Sequence, residues 1–198
     1  MKTQSSKNYL DYLKSKRVLI IHGFNSSGNG TTASNLKSVL SNFGITKIIA
    51  PDFNLLNYDE TIAKTDELSK NVDIVIGHSL GGYYTMSLKR LEIFKIVINP
   101  CIDPLVINLN LNKKINLRGL NRQLTFGMFA KSDELFDFYD YFKDNFSAEF
   151  YGVLNYTRIP GTHRPDKDSL NLGLIKAFEY FTKIHNSIDL ASESENIQ

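Results

Sequence analysis

Cysteine is almost missing from this chain: Cys101 is the only one in 198 residues. That excludes an internal disulfide framework and a multi-cysteine zinc site, and it fits a reducing, cytoplasmic compartment. A surplus of one charge is missing too, because 23 Lys plus Arg face 21 Asp plus Glu for a formal net charge of +2. Such a balance argues against a general nucleic-acid or polybasic membrane binder. No apolar run approaches the roughly 20 residues of a membrane span. The opening MKTQSSKNYLDYLKSK lacks the apolar stretch of a secretory signal. Histidine is scarce, with four residues in all, which leaves few candidates for histidine chemistry. What remains is ordinary: 42% hydrophobic and 22% charged side chains, the composition of a soluble globular domain.

Short apolar runs alternate with stretches of helical spacing. Val18–Ile21, Lys47–Ala50, Asp73–Ile76, Phe94–Ile98, Leu124–Ala130 and a longer Phe150–Ile159 read as strands. Thr31–Phe43, Asp59–Lys70, Gly81–Leu91, Leu135–Phe146 and Ser169–His185 read as helices, the first closed by Gly44 as a C-terminal glycine. Continuous apolar strands separated by helices imply a parallel sheet covered on both faces. The expected fold is therefore an α/β three-layer sandwich with a mostly parallel sheet of about six strands. Residues 1–16 read as an N-terminal arm, 17–186 as one domain, and 187–198 as a disordered polar tail.

In such sheets functional groups gather in the loops at the carboxyl ends of the strands. Those ends carry His22-Gly23-Phe24, Gly77-His78-Ser79-Leu80-Gly81, Asp133 and Gly161-Thr162-His163. The second segment is G-x-S-x-G between a strand and a helix. A nucleophilic serine needs that sharp turn, and glycines two positions away on either side remove the clashes it creates. Serine also needs a general base. In the order serine, acid, histidine, only His163 and His185 lie downstream of Ser79, and His185 ends an amphipathic helix where a cation complements the dipole. Elimination leaves His163 as base. Asp133 is the expected acid that orients it, with Glu134 and Asp103 as rivals. The backbone N–H groups of Leu80 and Phe24 are the expected oxyanion donors, and His22 reads as a structural loop residue.

Competing readings are weaker. The loop Gly23–Thr31 half-matches a phosphate-binding loop, but Asn29 stands where lysine is required; backbone-amide binding of an anionic substrate group stays open. Cys101 reads as packing rather than as a second nucleophile. Phe136–Phe142 reads as a helix packed on the sheet rather than as a ligand platform. Lys113, Lys114, Arg118 and Arg122 form a basic cluster suited either to solvent or to an acidic substrate such as an acyl-coenzyme A. A hydrolase-like fold without turnover, serving as a binding or regulatory module, is the alternative of a different class.

At His22-Gly23-Phe24-Asn25-Ser26-Ser27, Ser79-Leu80-Gly81-Gly82-Tyr83-Tyr84, Ile98-Asn99-Pro100, Ser132-Asp133-Glu134 and Gly161-Thr162-His163, the sequence resembles the α/β-hydrolase superfamily. Within it the likeness is to small bacterial serine esterases of the YqiA type, over roughly residues 17–185. The resemblance implies an esterase or thioesterase with a Ser79–Asp133–His163 triad, a small-molecule substrate, no metal or other cofactor, and a cytoplasmic location. The stretch after Asn99-Pro100 is shorter than in that family, and Arg164-Pro165 replaces more apolar residues after the histidine. Pro104–Arg122 occupies the place of a cap but is too short for a large closed lid, which predicts an open site.

Overall fold

A computed structural model describes residues 11–90, 92–103 and 121–195. Six strands form one parallel sheet: β1 (Arg17–Ile21), β2 (Lys47–Ile49), β3 (Ile74–His78), β4 (Phe94–Ile98), β5 (Thr125–Ala130) and β8 (Tyr156–Ile159), in the spatial order β2-β1-β3-β4-β5-β8. Two further strands, β6 (Glu149–Phe150) and β7 (Val153–Leu154), form a separate antiparallel hairpin. The helices are α1 (Thr31–Asn42), α2 (Tyr58–Ser69), α3 (Leu80–Ser87), α4 (Tyr139–Phe146) and α5 (Lys167–Glu195).

The register explains the layers. Ile76 pairs with Ile20 on one side and Ile96 on the other, and Ile96 pairs with Phe126. These residues share one face of the sheet, where they pack with Leu36 and Leu40 of α1 and Leu170, Leu174 and Phe178 of α5. Their neighbours point the opposite way because strand side chains alternate. Leu19, Ile21 and Val75 meet Tyr83 and Tyr84 of α3, with Ile62 of α2 against them. Val97 and Phe129 meet Met86 of α3 and Phe142 and Phe146 of α4. Burial on both faces is what keeps Val18–Ile21 and Ile74–Ile76 apolar at every position.

The chain leaves β1 toward β2 on one side and returns to β3 on the other. The ends of β1 and β3 therefore flank the point where the winding reverses, the usual place for a crevice in such a sheet. The loop after β1 and the turn after β3 come together there. A Cβ on Gly23 would stand 3.1 Å from that of Ser79.

Several sequence expectations need correction. The expected strand Phe150–Ile159 is a hairpin followed by a strand, because Tyr151 (φ +48°) and Gly152 (φ +74°) turn the chain in two residues. Asn155, wholly buried just before β8, donates its side-chain amide to the carbonyls of Arg122, Thr125 and Phe146. The helix expected from Leu135 begins at Tyr139, since the carboxylates of Asp133 and Asp137 take the amides of Leu135, Phe136 and Tyr139 into side-chain turns. The helix expected to reach Leu91 stops at Ser87. Buried Lys95 donates to the Leu88 carbonyl at 2.5 Å there, with burial holding its pKa down to about 8.

The polar tail expected from residue 187 continues α5 to Glu195; the segment has no Gly or Pro and is rich in helix formers. His185 therefore sits inside the helix rather than at its end, and its ring stacks on Tyr12 at 4.4 Å between centroids. Leu13 of the expected arm is buried in the core. Gly44 closes α1 in the left-handed region (φ +77°), as its position predicts. The proposed cap, with Lys113, Lys114 and Arg118, falls within 104–122, of which 104–120 lie outside the described residues.

Candidate active site

Ser79 occupies the sharp turn between β3 and α3 with φ +55° and ψ −121°. That region is costly for a residue with a side chain. The surroundings hold it: the Ser79 N–H donates to Ile98 O, and the Ser79 carbonyl accepts from the Gly82 and Cys101 amides. The glycines are required by contact. A Cβ on Gly77 would lie 2.2 Å from Thr85 Oγ1, and one on Gly81 would lie 2.2 Å from the Ile21 carbonyl oxygen.

His163 Nε2 stands 2.9 Å from Ser79 Oγ, and His163 Nδ1 stands 2.9 Å from Asp133 Oδ2 and 3.1 Å from Oδ1. Both side chains of the His163–Asp133 pair are nearly buried, 4% and 3% exposed. Burial pushes the Asp133 carboxyl up, but hydrogen bonds from His163, Phe136 and Leu135 outweigh it, so its pKa falls below the ordinary carboxylate value. An ionised Asp133 only accepts, so the ring proton belongs on Nδ1. Nε2 is then left bare to accept from the serine hydroxyl. The edge of Phe136 covers the imidazole, with centroids 4.8 Å apart.

The Phe24 and Leu80 amides belong to the β1 loop and the first turn of α3. Among the described residues neither donates a hydrogen bond to a protein acceptor. Phe24 is 37% exposed.

Sequence reasoning missed what holds His163 by its main chain. Its N–H donates to Glu134 Oε2 at 2.9 Å. Its carbonyl accepts from His78 Nε2 at 2.8 Å and from Asn99 Nδ2 at 3.0 Å. Asn99 also donates to Thr162 O and accepts from the Ala130 N–H, tying together the ends of β4, β5 and β8. It adopts φ +43°, a left-handed conformation that asparagine tolerates better than most residues. Burial holds the His78 imidazole down to about 4, so the ring is neutral. The one signal available was Asn99 before Pro100 at a strand end, which reads equally well as a plain turn.

The rival residues separate clearly. Glu134 binds the main chain of His163 while Asp133 binds its ring, and Asp103 is exposed. His22 is held at both nitrogens by main chain: Nε2 accepts from the Phe53 N–H and Nδ1 donates to Gly23 O. Cys101 is buried, and burial pushes its thiol up to about 12, far from a thiolate at neutral pH. The glycine-rich loop closes on its own chain. The Gly28 N–H donates to Asp52, Asn29 N–H to Ser27 Oγ, and Gly30 N–H to Ser27 O. Those three amides are already taken by the protein's own oxygens. Among the described residues no group of three or more His, Cys, Asp or Glu is placed to hold a metal ion. Nor is any helix among them long and apolar enough to cross a membrane.

A parallel sheet in this order, with a serine at a strained turn after its third strand and helices on both faces, is the α/β-hydrolase fold. The chain belongs to the uncharacterised protein family UPF0227, whose family model matches residues 17–124. That membership accords with the YqiA-type resemblance. The ydeN gene product from B. subtilis is similar in fold, with TM-score 0.62 and 15% identity over 85% of this chain and 100% of that one. Est1E from Butyrivibrio proteoclasticus gives TM-score 0.59 and 17% identity over 86% and 88% of the two chains. The esterase domain of a Rhodothermus marinus protein gives 0.58 and 14% over 83% and 86%. No curated protein matches the chain.

Proposed function

We propose that this protein is a serine hydrolase that cleaves carboxylic esters or thioesters through an acyl-enzyme. The observation that carries the reading is the continuous chain of contacts Ser79 Oγ–His163 Nε2 and His163 Nδ1–Asp133, each closing at 2.9 Å. In this reading Ser79 attacks the substrate carbonyl while His163 Nε2 takes the hydroxyl proton and Asp133 stabilises the imidazolium. The negative oxygen of the tetrahedral intermediate is received by the Phe24 and Leu80 amides. Collapse breaks the bond to the alcohol or thiol, which leaves with the proton from His163. Water then attacks the acyl-enzyme, gives a proton to His163, and releases the acid as that proton returns to Ser79.

Exposed Phe24 and Leu135, the latter two residues after Asp133, present apolar surface suited to a small-molecule acyl or alcohol group. The proposed compartment is the cytoplasm, which suits a chain whose single cysteine is free. A fluorophosphonate probe and short p-nitrophenyl esters test the reading. Wild type is expected to label at Ser79 and turn over, and Ser79→Ala to do neither. Labelling that survives in Ser79→Ala removes the serine assignment. Labelling of wild type without turnover across a broad ester and thioester panel favours the binding-module alternative.

A further inference from the structure

We propose that Glu134, Asn99 and His78 are positioning residues that set the height of the His163 imidazole over Ser79 by holding the main chain of residue 163 from both sides. The proposal rests on the reading of Ser79, His163 and Asp133 as a proton relay. His163 lies in a loop, and the Asp133 contact restrains only its ring. A ring anchored at one nitrogen still swings if its backbone drifts, and reacting atoms about 1 Å out of place cost roughly 10²-fold in rate.

The main-chain contacts remove that freedom. Glu134 Oε2 takes the N–H, while His78 Nε2 and Asn99 Nδ2 take the carbonyl from the ends of β3 and β4. Two of the segments that supply reacting groups thus also supply a clamp: His78 precedes the nucleophile, and Glu134 follows the acid. The two adjacent carboxylates divide the work, one on the ring and one on the backbone. His78 acts as a neutral donor, its ring packed 5.1 Å from that of His163. Asn99 supplies a donor and an acceptor from one side chain, a combination that a carboxylate of the same shape lacks.

Glu134 is exposed, so its substitution tests the idea with little risk to folding. Glu134→Ala is expected to slow fluorophosphonate labelling of Ser79 and kcat on p-nitrophenyl acetate by about 10- to 10²-fold, with KM held. The labelling end-point should stay at one probe per chain. Glu134→Gln keeps an oxygen for the His163 N–H and is expected to restore most of the rate. Asn99→Asp keeps the shape and the acceptor but loses both donors, and should slow the same steps with its melting temperature recorded alongside. The downfield Nδ1–H proton of His163 should broaden in Glu134→Ala and recover in Glu134→Gln, a readout that needs no substrate.

A wild-type rate in Glu134→Ala overturns the proposal. So does a Glu134→Gln variant as slow as Glu134→Ala, which points to charge rather than position. A labelling end-point that falls while the rate holds indicates plain structural damage and overturns it as well. Wild type that fails to label at Ser79 removes the relay itself, and the proposal falls with it.

Discussion

Two buried histidines at the carboxyl ends of strands, His22 after β1 and His163 after β8, use both ring nitrogens at nearly equal distances. His22 spans Gly23 O at 2.8 Å and the Phe53 N–H at 2.9 Å. His163 spans Asp133 and Ser79 at 2.9 Å each. The bond lengths do not distinguish them. The partners do. A peptide carbonyl and a peptide N–H do not titrate near neutrality, so His22 is a strut between two loops. A carboxylate and a hydroxyl can absorb and release a proton, so His163 is equipped for acid–base chemistry. His78 is the intermediate case, with one ring nitrogen on a carbonyl and a ring kept neutral by its surroundings.

The largest effect should come from breaking His163, the member of the pair proposed to move a proton. His163→Ala is expected to lower kcat on p-nitrophenyl esters by up to about 10⁶-fold, as base removal does in subtilisin. The rate is taken per folded molecule, since buried Asp133 also loses its ring partner. A rate within about tenfold of wild type contradicts the proton role.

Next in size is His78. Its native pKa of about 4 against an ordinary 6.5 means that the unfolded chain binds a proton across that interval and the folded one does not. Stability should therefore fall as pH drops from 6.5 toward 4, by about 3 kcal/mol from this residue alone. Above 6.5 the effect vanishes. Melting curves of wild type and His78→Gln should diverge only inside that window, and parallel curves refute the prediction.

His22→Ala should do the reverse of His163→Ala. Leaving the Phe53 N–H and Gly23 O unpaired in a buried site costs about 2–3 kcal/mol by urea unfolding. Chemistry per folded molecule should be preserved within the same order of magnitude. Tyr180 sharpens the contrast from the other side, since its hydroxyl is buried with no partner among the described residues. Tyr180→Phe should therefore stabilise by about 1 kcal/mol. In a chain of this size that raises the melting temperature by about 2–4 °C, readable by differential scanning calorimetry.

The centre of the sheet was legible because its strands are buried on both faces. Val18–Ile21 and Ile74–Ile76 carry no polar break, and the G-x-S-x-G segment begins in the last two residues of β3. Ser79, Asp133 and His163 were each nameable from local context, and the fold brings all three within hydrogen-bond distance. What escaped was set by distant partners or by side chains competing with helix. The β6–β7 turn uses Tyr151 in a conformation usually signalled by glycine or asparagine. The delayed start of α4 depends on Asp133 and Asp137 capturing amides that a helix would otherwise use. The carboxylate that takes the Gly28 amide belongs to Asp52, 24 residues away. The clamps on His163 join residues 85, 64 and 29 positions apart, and no local pattern marks such pairs.

The tripeptide Asn99-Pro100-Cys101 touches both sides of the crevice. Cys101 N–H holds the Ser79 carbonyl, Pro100 backs Gly82, and the Asn99 amide holds the His163 carbonyl. Hydroxyl and imidazole are thus mounted on a common bench. Thermal drift of that bench carries both in the same direction, so their separation is steadier than the position of either one.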